Sequence, residues 1–228
     1  MAVINPIAYI ENDFTEKFGI PRQSGLTSCR SRIVFLPEYR DPEALRGIAG
    51  FSYIWLLWQF DKAQTTGKKW SPTVRPPRLG GNKRMGVFAT RSPYRPNSIG
   101  LSSVRLEGID YDTPEGAVLI VTGADILSGT PIIDIKPYLP YTDCHPEATG
   151  GFSLSDREIL QVDFPEDLRG NIPARKLSEI SELLSQDPRP QYQDDPERIY
   201  TMAFGGYDIS FAVKEGVLTV TGAVYKGT

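Results

Sequence analysis

I-G-L-S-S-V-R-L (99–106) and A-V-L-I-V-T (117–122) are the runs on which the fold of this 228-residue chain turns. Each is short, rich in Val, Ile and Leu, and bounded by Gly, Pro or Asp, the pattern of a strand between turns. Ser31–Leu36, Phe51–Phe60 and Met85–Arg91 behave in the same way. None is followed by the amphipathic helix of roughly 10–15 residues that a parallel crossover needs, which argues against a doubly wound sheet. Short strands separated by turn signals instead predict an antiparallel barrel or sandwich. The helical signal among them is brief: D-P-E-A-L-R-G (41–47), with Asp41 as N-cap and Pro42 at the first helical position.

Further along, T-D-C-H-P-E-A-T-G-G-F-S-L-S-D (142–156) is polar and Gly-containing and reads as a linker. It divides a barrel over residues 1–142 from a smaller unit over 156–228. Glu158–Phe164 reads as a strand. Pro173–Gln186 reads as a helix, opened by Pro173, with Leu177, Ile180, Leu183 and Leu184 at helical spacing. Arg198–Phe204, Tyr207–Lys214 and Val217–Val224 read as strands joined by Gly205-Gly206 and Glu215-Gly216, both tight-hairpin signals. The expected fold class is therefore mainly β, an antiparallel barrel with a small C-terminal α+β domain.

Charge is segregated. Between Lys62 and Leu106 lie ten of the 25 Lys and Arg residues and none of the 28 Asp and Glu, although the whole chain carries a net charge of −3. A local positive field attracts phosphate even on an acidic protein. The stretch is rich in Pro, Gly and Asn, the composition of a shaped loop surface. No apolar run approaches the roughly 20 residues that span a bilayer. M-A-V-I-N-P-I-A-Y-I-E-N-D has no basic n-region and does not read as a signal peptide. Cys29 and Cys144 supply no disulfide framework and fit a reducing, cytoplasmic setting. His145 is the only histidine, which argues against a His-based metal site or a Ser-His-Asp triad.

Familiar phosphate-loop, nucleophile-elbow, zincin and dinucleotide motifs are missing. Three segments carry the candidate chemistry. F-A-T-R-S-P-Y-R-P-N-S-I-G (88–100) holds Arg91, Arg95 and Asn97 on a loop stiffened by Pro93 and Pro96, suited to bidentate capture of a carboxylate or phosphate. D-I-L-S-G-T-P-I-I-D-I-K-P-Y-L-P (125–140) combines acids with a Gly turn. Two roles are open to its Asp125 and Asp134: turn caps, or acceptors for a ribose hydroxyl or an amine. Q-D-P-R-P-Q-Y (186–192) follows the C-terminal helix, where Pro is ordinary punctuation.

Together with R-Q-S-G-L (22–26), R-G-x-x-x-F-S-x-I-W (46–55) and P-T-V-R-P-P-R-L-G-G-N-x-R-M-G-V-F-A-T-R-S (72–92), these segments resemble the TrmO (TsaA-like, formerly YaeB) family of transfer-RNA methyltransferases. The resemblance covers nearly the whole chain. It implies a β-barrel enzyme, homodimeric, that uses S-adenosylmethionine to methylate N6 of N6-threonylcarbamoyladenosine at position 37, beside the anticodon. By motif it implies cofactor contacts at Ser24, Gly25, Leu26, Asp61, Lys62, Arg91, Leu101, Asp125, Ile126, Leu127 and Ser128. The chain departs from the family pattern in places. Ser24 stands where P-G-L is usual, Ser98 where N-P-I-G is usual, and Ser128 where D-G-T is common. Glu11-Asn12-Asp13-Phe14 replaces a frequent R-S-P-Y.

Methyl transfer from a sulfonium is an in-line displacement, so the site must either accept the N6 proton or hold that nitrogen in a reactive geometry. Asp134 and Tyr138 are the first candidates for that role, ahead of Asn97. Arg95 suits the carboxylate of the threonyl group, Arg75, Arg78, Lys83 and Arg84 suit the anticodon stem-loop backbone, and Tyr94 suits base stacking. Two other classes fit the residues: an RNA-binding module without catalysis, and a methyltransferase with a small-molecule substrate.

Overall fold

The computed structural model describes residues 4–61, 70–76, 79, 82–154, 159–170, 172–190 and 195–227. Strands β1 (Ala8–Asn12), β2 (Arg30–Phe35) and β3 (Tyr53–Gln59) come first. A two-stranded ribbon of β4 (Thr73–Val74) and β5 (Met85–Gly86) follows, and then β6 (Ile99–Asp110), β7 (Val118–Thr122) and β8 (Pro131–Pro137). β1, β2, β7, β6, β3 and β8 close in that order into an antiparallel barrel. The mainly-β barrel expected from the short apolar runs is thus the architecture of the chain.

Alternation in the strands explains the interior. Ile54, Leu56 and Trp58 of β3 face inward, as do Gly100, Ser102, Val104 and Leu106 of β6. They meet Ile10, Ile33, Phe35, Leu119, Val121 and Ile132 in one core. Each fully buried aliphatic side chain there contributes about 1.5–3 kcal/mol. β6 is the pivot of the barrel. It pairs with β3 from Ile99 to Arg105 but with β7 only from Arg105 onward, across a bulge between Leu106 and Gly108. Among the described residues no strand covers the edge of its first half, and loops gather there.

One reading from the sequence changes. Met85–Arg91 is not a continuous strand: pairing ends at Gly86, and Val87–Ala89 form a turn. Val87 is buried, and both the N–H and the hydroxyl of Thr90 close on its carbonyl (3.2 and 2.8 Å). β8 runs through the acid-bearing segment 125–140 and carries Asp134, and it is followed by a short helix, α1 (Pro140–Asp143).

In the C-terminal part, β9 (Gln161–Asp163), α2 (Glu166–Arg169), α3 (Ala174–Ser185), β10 (Tyr200–Phe204), β11 (Tyr207–Lys214) and β12 (Val217–Tyr225) form a sheet of order β10-β11-β12-β9, with β9 parallel to β12. Both hairpins turn through residues with positive φ: Gly205 and Gly206 (57° and 82°), then Glu215 and Gly216 (50° and 78°). That is the backbone of primed hairpin turns. α3 buries Ile180, Leu183 and Leu184 against the sheet.

This second core also takes Phe14 and Cys29 from the N-terminal part. Phe14 lies 5.2 Å from Phe204, ring centre to ring centre. Beside it the Lys176 ammonium bonds Asp13 and Glu179, and it also sits over the Phe204 ring. The Glu179 side chain, 4% exposed, further accepts from the Arg175 guanidinium (3.2 Å) and the Arg30 N–H (3.4 Å). Ser28 donates its N–H and hydroxyl to Glu182. Glu11-Asn12-Asp13-Phe14 therefore has a structural use. Glu11 pairs with Arg32 at 2.7 Å, Asn12 ties the barrel end, Asp13 meets Lys176 and Phe14 enters the second core.

Burial lowers the pKa of Lys176, but the hydrogen bonds and charges of Asp13 and Glu179 outweigh it and leave the ammonium above its usual value. The linkage is fully present below the ordinary lysine pKa of about 10.4 and is lost only as pH rises through the raised value. Lys176→Met keeps the aliphatic stem and leaves the buried Glu179 carboxylate with only the Arg175 guanidinium and the Arg30 N–H. Urea denaturation at neutral pH should show a loss of about 2–4 kcal/mol. Burial also pushes the Cys29 thiol up to about 12, whereas Cys144 is exposed. A thiol reagent should modify Cys144 rapidly in the native protein and reach Cys29 only in denaturant.

Candidate active site and nucleic-acid interface

A groove of about 2080 Å³ runs past the uncovered end of β6. Its described walls carry Lys17 and Arg22 from the loop after β1, Arg75 and Arg84 from the ribbon, Arg91 and Arg95 from the loop before β6, and Arg189 after α3. No Asp or Glu lies among the described lining residues. Phe18, Trp70, Phe88, Tyr94 and Phe152 interleave with the cations. Arginines alternating with aromatic faces suit an unpaired polynucleotide, whose phosphates take charge and whose bases stack.

Local bonds hold the arginine loop in shape. The Thr90 hydroxyl accepts from the Ser92 N–H (3.2 Å) and the Ser92 hydroxyl from the Tyr94 N–H (3.2 Å). Arg95 Nη1 donates to the Thr90 carbonyl (3.3 Å) and Arg91 Nη1 to Gln23 Oε1 (2.6 Å). Across the groove, Arg22 Nη2 donates to the carbonyls of Asp187 and Arg189 (3.3 and 3.1 Å). Asp187 grips the Arg189 guanidinium through both carboxylate oxygens (2.8 and 3.0 Å). R-Q-S-G-L and Q-D-P-R-P, far apart in sequence, are thus one wall.

At the β6 edge the early loop meets the loop after β7. Ser24 Oγ accepts from the Ser103 N–H (3.2 Å), and the Gly25 N–H donates to the Gly123 carbonyl (2.8 Å). The backbones touch closely enough that a Cβ on Gly123, at φ +84°, would lie 3.3 Å from Gly25. Asp125 stands beside this contact. The buried Trp58 indole donates to Ser102 Oγ (3.0 Å), and the Ser102 hydroxyl donates to Asp125 Oδ1 (2.5 Å). Burial raises the Asp125 carboxyl above the usual aspartate value, against the opposing pull of Ser102, the backbone and the Arg91 charge. A recessed carboxylate held by a directed hydroxyl is an acceptor built for a hydroxyl or an amine.

The structure thus brings Ser24, Gly25, Arg91 and Asp125 together, with Leu26 in the groove wall and Leu101 exposed on the same half of β6. Ile126 is a core side chain that offers its carbonyl to Asn12 Nδ2 (2.9 Å); Leu127 closes a turn with Thr130; Ser128 bonds Asn12 and Phe14. Asp61 is exposed, while Lys62 and Arg78 lie outside the described residues. Arg75, Arg84, Tyr94, Arg95 and Asn97 all line the groove; Lys83 is exposed outside its lining. Asp134 pairs with Lys136 (2.9 Å), and Tyr138 packs on Tyr53 and Trp55, so neither is in the lining. Burial, with Cys144 and Asp143 nearby, raises the Tyr138 hydroxyl. Ser102, Trp58, Trp70, Phe88 and Arg189 were not singled out from the sequence. A polar residue in the inward row Gly100-Ser102-Val104-Leu106 is the signal that would have found Ser102.

Fold and site together define a β-barrel protein shaped to hold a polyanion beside a recessed small-molecule acceptor. The chain belongs to the tRNA-methyltransferase O family. The family's N-terminal domain matches residues 9–144 and its C-terminal domain residues 157–225. A tRNA (adenine(37)-N6)-methyltransferase of Eikenella corrodens is 44% identical over 171 residues, 75% of this chain and 95% of that one. A putative S-adenosylmethionine-dependent methyltransferase of Pseudomonas aeruginosa is 41% identical over 215 residues, 90% of each chain. The crystal structure of TrmO from Pseudomonas aeruginosa superposes with a TM-score of 0.79 at 33% identity, over 98% of this chain and 99% of that one.

Asp125→Asn keeps the bond from Ser102 and removes the buried charge. A raised folded-state pKa means that ionisation of Asp125 opposes folding: its effect is absent below the unfolded value of about 3.9 and grows as pH rises through the folded value. Thermal melts across pH should show the parent losing ground to Asp125→Asn through that window, with the variant at least as stable at neutral pH.

Proposed function

We propose that the chain transfers a methyl group from S-adenosylmethionine to N6 of N6-threonylcarbamoyladenosine at position 37 of tRNA, with the anticodon loop in the groove. The observation that carries this reading is the junction of two surfaces at the β6 edge: an acid-free groove of arginines and aromatics, and the Ser24–Gly25–Asp125–Arg91 cluster beside it. The names of the Eikenella and Pseudomonas relatives support it.

The residues present fit the cofactor. Asp125, recessed and bonded by Ser102, accepts a hydroxyl or ammonium; Arg91 suits a carboxylate; the Gly25–Gly123 contact leaves a close backbone surface. When bound, the cofactor supplies the electrophilic methyl. On the groove side Arg95 takes the carboxylate of the threonyl group, and the Asn97 side-chain carbonyl accepts a hydrogen bond from N6–H and orients that nitrogen, the proton passing to water. Asn97 now leads Asp134 and Tyr138 for that role, because it lines the groove and they do not. The barrel of residues 1–142 carries the chemistry, and residues 156–228 complete the groove wall through Arg189. A homodimer belongs to the same reading: Tyr53 and Leu101 leave apolar side chains exposed on the outer face of β3 and β6. So does a cytoplasmic setting, which the unpaired cysteines support.

The test is to incubate the protein with cofactor and tRNA from a strain lacking the gene, then analyse nucleosides by mass spectrometry. Threonylcarbamoyladenosine should gain the mass of one CH₂; its persistence unchanged defeats the reading. Salt-sensitive tRNA binding without cofactor binding would indicate an RNA-binding module, and turnover indifferent to tRNA a small-molecule enzyme. Arg91→Ala should raise the cofactor dissociation constant roughly 10- to 100-fold in calorimetry and abolish the gain under dilute cofactor.

A further inference from the structure

Trp70 and Phe88 are large aromatic side chains, 52% and 71% exposed, and belong to neither hydrophobic core. The fold nonetheless holds them side by side. Trp70 enters the ribbon strand β4 and Phe88 leaves β5; the Val87 N–H bonds the Pro72 carbonyl (2.9 Å), and Val87 itself is buried. Ser71 Oγ donates to the Thr73 carbonyl (2.8 Å), and Arg84 Nη1 to Thr73 Oγ1 (3.1 Å), bracing the same end of the ribbon. The ring centres are 6.1 Å apart and the planes inclined by 35°. A flat base sandwiched between two rings needs about 7 Å, twice the 3.4 Å step of stacked nucleotides. The ring centres stand closer than that, so the two exposed rings must part to admit a base.

We infer that Trp70 and Phe88 form a bracket for one unpaired nucleobase of an RNA loop. Charge complementarity selects this occupant: both rings lie in the acid-free groove, with Arg75 and Arg84 there to meet the flanking phosphates. A duplex keeps its bases stacked on one another and offers none to the rings, so the bracket discriminates loop from stem. The inference rests on the RNA reading of the groove and adds to it a site for a base, which need not be the one that is methylated.

Fluorescence anisotropy with a synthetic, unmodified anticodon stem-loop and with a fully paired duplex of the same stem tests it. Trp70→Ala and Phe88→Ala should each weaken hairpin binding by roughly 5- to 100-fold. The double variant should lose little more than the worse single one, because both rings hold the same base. Duplex binding, the slope of affinity against salt, and calorimetric S-adenosylmethionine binding should match the parent. Trp70→Phe and Phe88→Tyr, which keep a ring, should retain most affinity. By contrast, Arg84→Gln should lower the salt slope by about one. If both alanine variants bind the hairpin as the parent does while the parent methylates tRNA, the bracket is wrong and the proposed function stands. A parent that binds hairpin and duplex alike also overturns the bracket. A parent that neither binds the hairpin nor methylates tRNA overturns both.

Discussion

The Glu179 carboxylate is the constraint on which the rest of the molecule depends. It sits between barrel and helix with 4% of its side chain exposed, where an unpaired charge would cost several kcal/mol. Its partners come from both sides of the junction: Arg175 and Lys176 from α3, the Arg30 N–H from β2, and through Lys176 the Asp13 carboxylate after β1. The charges are satisfied only when α3 is docked in one place. Phe14 and Cys29 enter the second core at that position, so apolar burial and ion pairing specify the same arrangement. Hydrophobic contact alone would tolerate sliding; the directed bonds to Glu179 do not.

Docking at that angle has its functional consequence at the far end of α3. The helix delivers Pro188, Arg189 and Pro190 to the groove, where Arg22 clamps the backbone and Asp187 holds the Arg189 guanidinium. Asp187 takes a left-handed conformation (φ 49°) to do so. The acidic residues of the chain are meanwhile occupied elsewhere, as Glu11 with Arg32 and Glu179 with α3 illustrate. The overall charge of −3 therefore coexists with a groove whose described lining holds cations and no acid. Such separation raises the local field at the groove and leaves the rest of the surface repulsive to phosphate.

The sequence made the barrel legible because its strands alternate: Ile54, Leu56 and Trp58 on one face and Tyr53, Trp55 and Leu57 on the other can be read without coordinates. The cationic stretch was legible because charge density needs no geometry. What stayed hidden depends on distance. Met85–Arg91 has strand composition, yet only a partner strand sustains a strand, and none continues past Gly86. Asp134 and Tyr138 sat in the right motif, but their neighbours Lys136 and Trp55 could not be seen to occupy them. Arg22 and Arg189 belonged to separate motifs more than a hundred residues apart, and only the second core brings them to one wall.

The departures from the family pattern make physical sense in the same terms. Ser128 and Asn12 differ from the pattern together, and they bond each other: the Asn12 N–H donates to Ser128 Oγ at 3.2 Å. Ser24 turns its hydroxyl to the Ser103 N–H on the open edge of β6, satisfying a backbone donor that no strand pairs. Ser98 serves through its carbonyl, which accepts from the Phe60 N–H (2.9 Å), so the backbone bond there does not depend on the side chain. Gly100, two residues on, is the position that allows no such freedom. A Cβ there would fall 2.2 Å from Trp58 Cε2, inside the indole that lies across it. That indole must lie flat to present its N–H to Ser102, and Ser102 in turn aims its hydroxyl at Asp125. The glycine of N-S-I-G therefore acts at a distance: by leaving space for a ring, it fixes the direction of a carboxylate.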